Sequence, residues 1–263
     1  MITSKWFLTP QRILDPQLRV FCFPYAGGSA STYIPWAKKL PYNVELVAVQ
    51  PPGRSSRILE EPYTDMNELI TSLFPEFVNL TDKPYILFGH SLGSRVAFEL
   101  AKKCLQEKVN LPLHFFASGS RAPFIPCREE PIYNLPDNEF VDRLRTLNGT
   151  PAEVLQNKEL MELCIPLLRS DFKIADTYLA NTETVIPLSA SVLSGTNDIE
   201  ITSEDLNAWK KVFSKIDELK YIEGDHFFIE SNRDSVIDFV NSTINKTLTK
   251  SNVGQIFNKK AFA

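Results

Sequence analysis

The chain has 263 residues, 43% of them hydrophobic and 23% charged, an ordinary globular composition that fits one large α/β domain or two small ones. A formal net charge of −4 argues against general binding to nucleic acid or to an anionic membrane. No apolar run approaches the ~18 residues that a transmembrane helix requires.

In chain order, residues 19–23 (RVFCF) and 44–49 (VELVAV) are short apolar runs bounded by Gly, Pro or polar residues, and they read as buried strands. Residues 65–80 then place Met66, Leu69, Ile70, Leu73, Phe77 and Leu80 on one helical face. A strand over 85–88 (YILF) leads into a helix over 91–105, with Val96, Ala97, Leu100, Ala101 and Leu105 at helical spacing. Further strands are expected over 113–117 (LHFFA), 188–193 (LSASVL) and 219–222 (LKYI), with a closing helix over 234–248. Near-continuous apolar strands alternating with helices predict an α/β fold. Its central sheet should be mostly parallel and covered by helices on both faces.

One connection is too long for that pattern. From Gly119 to Pro187 the chain runs more than sixty residues, whereas a whole βαβ unit needs about thirty. Helical patterns over 137–147, 158–168 and 171–179 make the excess an inserted helical lid rather than a loop. The expected organisation is a first part of the core over 1–126, a lid over 127–184 and a second part of the core over 185–250. A loose, aperiodic tail is expected over 251–263.

Gly89-His90-Ser91-Leu92-Gly93 is a GxSxG motif that directly follows the strand YILF and opens the next helix. In that context it reads as a nucleophile elbow, which lifts the serine hydroxyl above the sheet edge; otherwise it is a glycine-bearing turn without chemistry. A serine needs a base, and the chain has three histidines. His90 lies inside the elbow and His114 near the start of its strand. His226 follows the last strand, at the carboxyl end of the sheet where α/β sites lie, and is the expected base.

The third member should fall between Ser91 and His226, after a strand. Asp198 fits, in Ser194-Gly195-Thr196-Asn197-Asp198, although it could be a plain turn aspartate. Glu200, Asp205 and Asp225 stay open as rivals. For the oxyanion, one donor is the backbone N–H of Leu92, after the nucleophile. The other is expected at Ala26 in Phe23-Pro24-Tyr25-Ala26-Gly27-Gly28-Ser29, unless that Gly-Gly turn serves only to start a helix. No GxGxxG, Walker, HExxH or paired His/Cys metal spacing occurs, so neither a cofactor nor a metal is expected.

Together these segments resemble the type II thioesterases of nonribosomal peptide synthetase, polyketide synthase and fatty acid synthase systems, within the α/β-hydrolase superfamily. The resemblance runs from about Trp6 to Leu248. It rests on Phe21-Cys22-Phe23-Pro24-Tyr25-Ala26-Gly27-Gly28, Val49-Gln50-Pro51-Pro52-Gly53-Arg54 and Phe88-Gly89-His90-Ser91-Leu92-Gly93. It continues through Gly149-Thr150-Pro151, Leu168-Arg169-Ser170-Asp171-Phe172 and Gly224-Asp225-His226-Phe227-Phe228. The PPGR and LRSDF segments are far more specific than GxSxG.

The resemblance implies hydrolysis of acyl thioesters on the phosphopantetheine arm of a carrier protein, which clears stalled assembly lines. Ser91 would be nucleophile, His226 base, Asp198 its orienter, and Ala26 and Leu92 the oxyanion donors. Two positions depart from the family pattern: Asp225, where Gly is usual, and Ser94, where Ala is usual. Val141, Leu144, Leu147, Leu155, Leu163 and Phe172 in the lid, with Tyr25 and Phe227, are expected to line an acyl chamber. Arg57 and Arg128 are expected to dock an acidic carrier protein, whereas Arg54 within PPGR is expected to brace its loop. Alternatives are a general carboxylesterase or acyl-CoA hydrolase, and a non-catalytic scaffold of the same fold. Cys22, Cys104, Cys127 and Cys164 lack CxxC spacing and the N-terminus lacks a signal-peptide pattern, so a cytoplasmic monomer with free thiols is expected.

Overall fold

The computed structural model describes residues 4–150, 152–181 and 184–261, apart from the side chains of 152 and 250–261. Pro151 of the GTP segment and the last two residues of the expected tail lie outside the described residues. The strands are β1 (Phe7–Leu8), β2 (Leu18–Phe23), β3 (Val44–Val49), β4 (Tyr85–His90), β5 (His114–Ser118), β6 (Ile186–Gly195) and β7 (Phe213–Ile222). They form one sheet in the order β1-β3-β2-β4-β5-β6-β7, parallel throughout except for β1 at one edge.

The helices are α1 (Met66–Val78), α2 (Leu92–Gln106), α3 (Asp137–Leu147), α4 (Ala152–Gln156), α5 (Lys158–Thr177), α6 (Ser203–Ala208), α7 (Phe228–Ser231) and α8 (Arg233–Ala261). Asp65 starts α1 by accepting hydrogen bonds from the N–H groups of Asn67 and Glu68 at 2.8 and 3.0 Å.

Because side chains alternate along a strand, the apolar runs supply both faces of the sheet. Phe21, Tyr85, Leu87 and Phe115 enter a core shared with α1 and α2. Their neighbours Val20, Ile86, Phe88 and Phe116 enter a second core with Tyr33, Trp36, and Val236 and Val240 of α8. A third cluster, Ile132, Phe140, Leu144, Met161 and Leu168, lies wholly within the segment between β5 and β6.

Several boundaries differ from the sequence-based expectation. Residues 158–177 form a single helix where two were expected, because polar Arg169 and Ser170 interrupt the apolar pattern without breaking the backbone ladder. β7 starts at Phe213, and its first six residues, FSKIDE, carry too many polar groups to read as an apolar run. β1 is two residues long, too short to show a period. α8 does not end near Leu248 but continues to Ala261, since the segment has no Pro and a single Gly, Gly254, which costs only about 1 kcal/mol. No helix among the described residues is long and apolar enough to cross a membrane.

Candidate active site

Register brings the carboxyl ends of the central strands level: Phe23 pairs with Gly89, His90 with Ser118, and Gly195 with Ile222. Ser91 sits where β4 passes into α2, at φ 54° and ψ −120°, a conformation that strains any residue with a side chain. The turn is tight enough that a Cβ on Gly89 would collide with the backbone of Ser94, and one on Gly93 with the carbonyl of Phe23. Ser94, wholly buried, donates its hydroxyl to the carbonyl of Gly89 at 2.7 Å and accepts from the N–H of Ser118 at 3.1 Å. The hydroxyl at this position therefore staples the elbow to β5.

The loops after β6 and β7 bring the next two groups together. His226 Nδ1 lies 2.9 Å from Asp198 Oδ2, and the Asp198 side chain is completely buried. Since a carboxylate only accepts, Nδ1 carries the proton and Nε2 keeps its lone pair. Burial disfavours the charged imidazolium, but the Asp198 hydrogen bond and the charges of Glu200 and Asp198 outweigh it. His226 therefore titrates above the ordinary histidine range.

His90 lies beneath this pair. Its Nε2 is 3.0 Å from the carbonyl of His226, which can only accept, and its Nδ1 is 2.8 Å from the Ser118 hydroxyl. Burial, then the neighbouring His226, pushes its pKa well below the usual value, so a neutral His90 holds the His226 backbone in place. His114 is a core residue bonded to Ser191 at 2.9 Å.

The rival carboxylates are engaged elsewhere or stand farther off. Asp205 is wholly buried, pairs with Arg128 through contacts of 2.6 and 2.7 Å, and caps α6 together with Thr202. Asp225 accepts from the N–H of Phe227 at 2.8 Å and from the Asn148 amide at 2.9 Å, so it ties the lid to the histidine turn. Glu200 donates its backbone N–H to Asp198 Oδ1 at 3.0 Å, and its charge helps to raise the His226 pKa. Leu92 is the first residue of α2, where N–H groups have no partner within the helix. The loop from Tyr25 to Gly28 closes a turn through a bond of 2.9 Å from the N–H of Gly28 to the carbonyl of Tyr25. Ala26 lies inside this turn. Ala26, Ser91 and His226 all border one cavity.

A model of the thioesterase domain matches residues 18–244. The chain belongs to the thioesterase family. The thioesterase is 38% identical over 248 residues to the linear gramicidin dehydrogenase LgrE of Brevibacillus parabrevis, covering 93% of this chain and 94% of that one. It is 35% identical over 237 residues to the gramicidin S biosynthesis protein GrsT of Aneurinibacillus migulanus, covering 90% and 93%. The solved structure of the type II thioesterase BorB from the borrelidin cluster aligns with a TM-score of 0.84 at 30% identity, over 92% of this chain and 98% of that one.

The fold is that of the α/β hydrolases, and the protein stands among the type II thioesterases as a serine hydrolase. LgrE carries the name of a redox enzyme. The groups assembled here, a serine on a strained elbow and a histidine bonded to a buried aspartate, are those of a hydrolase.

The thioesterase cavity has a volume of about 520 Å³, in the range of small-molecule sites. Of the residues expected to hold an acyl group, Tyr25, Leu144, Leu147, Phe172 and Phe227 border it. Val141 and Leu155 instead pack into the lid's own core, and Leu163 is 60% exposed. Helical spacing separates apolar from polar faces, but it does not distinguish a face turned to a cavity from one turned to another helix.

The docking assignment of Arg57 is also corrected. Its side chain is only 4% exposed, donates to the Gln50 carbonyl and Glu60, and stacks 4.2 Å from the Trp6 ring centroid. It braces the PPGR loop. Arg128 is 52% exposed at the cavity but is paired with Asp205 and flanked by Glu129 and Glu130, so the rim is of mixed charge. His90 was given no role from sequence, and Arg121, expected from its position to belong to a basic rim, instead joins the buried Arg95 in donating to the carbonyl of Ala175 near the end of α5.

Proposed function

We propose that the thioesterase hydrolyses acyl groups from the phosphopantetheine arm of carrier-protein domains and so frees stalled biosynthetic assembly lines. The observation that carries this is the His226–Asp198 pair and an elbow serine bordering one cavity walled by a helical insertion, in a chain similar to BorB and GrsT.

Ser91 Oγ attacks the thioester carbonyl as its proton passes to His226 Nε2, and the charge on the resulting imidazolium is stabilised by Asp198. The N–H groups of Ala26 and Leu92 receive the oxyanion; losing one such donor costs about 10²–10³ in kcat. Collapse of the tetrahedral species breaks the C–S bond, and the imidazolium protonates the departing thiolate of the arm. Water, deprotonated by His226, then cleaves the acyl-serine ester and releases the free acid. Protein groups and water complete this cycle, and the phosphopantetheine arrives as part of the substrate.

Tyr25, Leu144, Leu147, Phe172 and Phe227 hold the acyl group, and the lid must move for the arm to enter. The four cysteines are free, which supports a reducing, cytoplasmic location. Carrier proteins loaded with a panel of acyl groups, followed by intact mass, test the reading. Acyl release is expected with the wild type and not with Ser91→Ala, which should lose on the order of 10⁴-fold or more. Release from acyl-CoA in preference to the acyl-carrier would refute the carrier assignment.

A further inference from the structure

The PPGR and LRSDF segments meet at one buried ion pair. Asp171 of α5 receives Arg54 through both carboxylate oxygens, at 2.6 and 2.8 Å, and the two side chains are 8% and 6% exposed. Burying such a pair is costly, and well-packed apolar residues often serve stability as well or better, so its presence calls for another account. The account lies in a third bond. Asp171 Oδ2 also accepts from the N–H of Gly27, at 2.7 Å, while Arg54 donates to the carbonyl of Gly28 at 3.1 Å.

Gly27 has φ +77° and is the third residue of the turn from Tyr25 to Gly28, the geometry of a type II turn. Type I and type II turns differ by a flip of the central peptide, here the one joining Ala26 to Gly27. The Asp171 bond selects one of the two orientations. From the previous turn of α5, Leu168 approaches so closely that a Cβ on Gly27 would lie 2.6 Å from its Cδ2. One face of the lid helix thus grips the loop that carries the Ala26 N–H.

We propose that Asp171 is a positioning residue for the oxyanion hole: through Gly27 it fixes the turn that presents the Ala26 N–H, with Arg54 orienting its carboxylate. Half of the oxyanion hole is then held by the lid rather than by the sheet. This rests on the acyl-serine mechanism, and Ser91→Ala, run alongside, separates failure of that mechanism from failure of this proposal.

The test uses two double variants of the full chain and a soluble acyl-pantetheine thioester. Asp171→Leu with Arg54→Met removes the acceptor for Gly27 and leaves no unpaired charge. Its kcat should fall roughly 10²-fold with KM little changed, as for a lost oxyanion donor. Its affinity for a boronic acid that adds to Ser91 as a tetrahedral anion should fall by a similar factor. Asp171→Asn with Arg54→Gln also removes the ion pair but keeps an amide oxygen for Gly27, and should recover most of the lost rate. Equal kcat losses in both variants would assign the residues to packing and overturn the proposal, as would an unchanged kcat in the apolar pair. A second measurement needs no variant. In the wild-type protein the Gly27 amide must be protected from hydrogen exchange, and rapid exchange there overturns the proposal even if the apolar pair does not fold.

Discussion

The most discriminating perturbation is Asp198→Asn. The carboxylate is completely buried and 2.9 Å from His226 Nδ1. An amide nitrogen placed there would donate to Nδ1, drive the imidazole proton to Nε2 and remove the lone pair that takes the serine proton. Because His90 holds the backbone of His226 at 3.0 Å, the ring should stay in place, and the loss should be chemical rather than conformational. The expected effect is about 10⁴-fold in kcat, or about 5 kcal/mol of barrier, with little change in thermal stability.

The neighbouring carboxylates provide the controls. In Asp225→Asn the side-chain oxygen can still accept from the N–H of Phe227, and only the bond to Asn148 is put at risk. That corresponds to about 1 kcal/mol, tenfold or less. Asp205→Asn should instead lower stability by about 1.5–3 kcal/mol, because it removes the charge from the paired bonds to Arg128, whereas the backbone N–H of residue 205 still meets the Thr202 hydroxyl at the α6 cap. Steady-state kinetics on an acyl-pantetheine thioester, with thermal unfolding of each variant, resolves the three. A larger kcat loss in Asp225→Asn than in Asp198→Asn would refute the triad.

Glu200→Gln removes a charge that helps to raise the His226 pKa. His226 must be neutral to act as base, so kcat/KM is lost as pH falls through that raised pKa, and the variant should move this acid limb to lower pH. A pH–rate profile that does not move would refute the coupling. Arg57→Glu should destabilise by about 3–5 kcal/mol in urea unfolding, because it places an anion beside Glu60 and removes the cation over Trp6. Arg128→Glu sets a carboxylate against the buried Asp205 and should therefore lower stability, while in the folded enzyme it should reduce the on-rate for acyl-carrier substrates at low salt and spare a small thioester; equal slowing of both would exclude a docking role.

The catalytic half of the site was legible because each of its residues is announced locally. Ser91 stands between an apolar strand and an amphipathic helix, and His226 and Asp198 each follow a strand whose register carries them to the same edge. Elimination among three histidines pointed to His226, whereas Asp198 could be separated from Asp205 and Asp225 only by geometry. Arg57 shows the limit of such reasoning. An arginine after a strand end looks like a rim charge until its stacking on Trp6 and its bonds to Gln50 and Glu60 are seen.

The half of the site that the lid supplies left a different kind of trace. Arg54 and Asp171 are 117 positions apart, and Asn148 and Asp225 are 77 apart, so no helical or strand period can relate them. Yet PPGR carries Arg54, and LRSDF carries Arg169 and Asp171, charges that the triad does not use. A motif without a chemical role invites a search for its partner, and two such motifs with complementary charges are candidates for each other. From sequence Arg54 was expected only to brace its own loop; its partner is Asp171, whose third bond, to Gly27, sets the pair against the turn from Tyr25 to Gly28. On the proposed role of Asp171, lid and sheet share the transition-state site, so a rearrangement that admits the carrier arm and breaks the Asp171–Gly27 bond would also loosen the oxyanion hole. On this reasoning hydrolysis by the open enzyme is restrained until the lid re-engages.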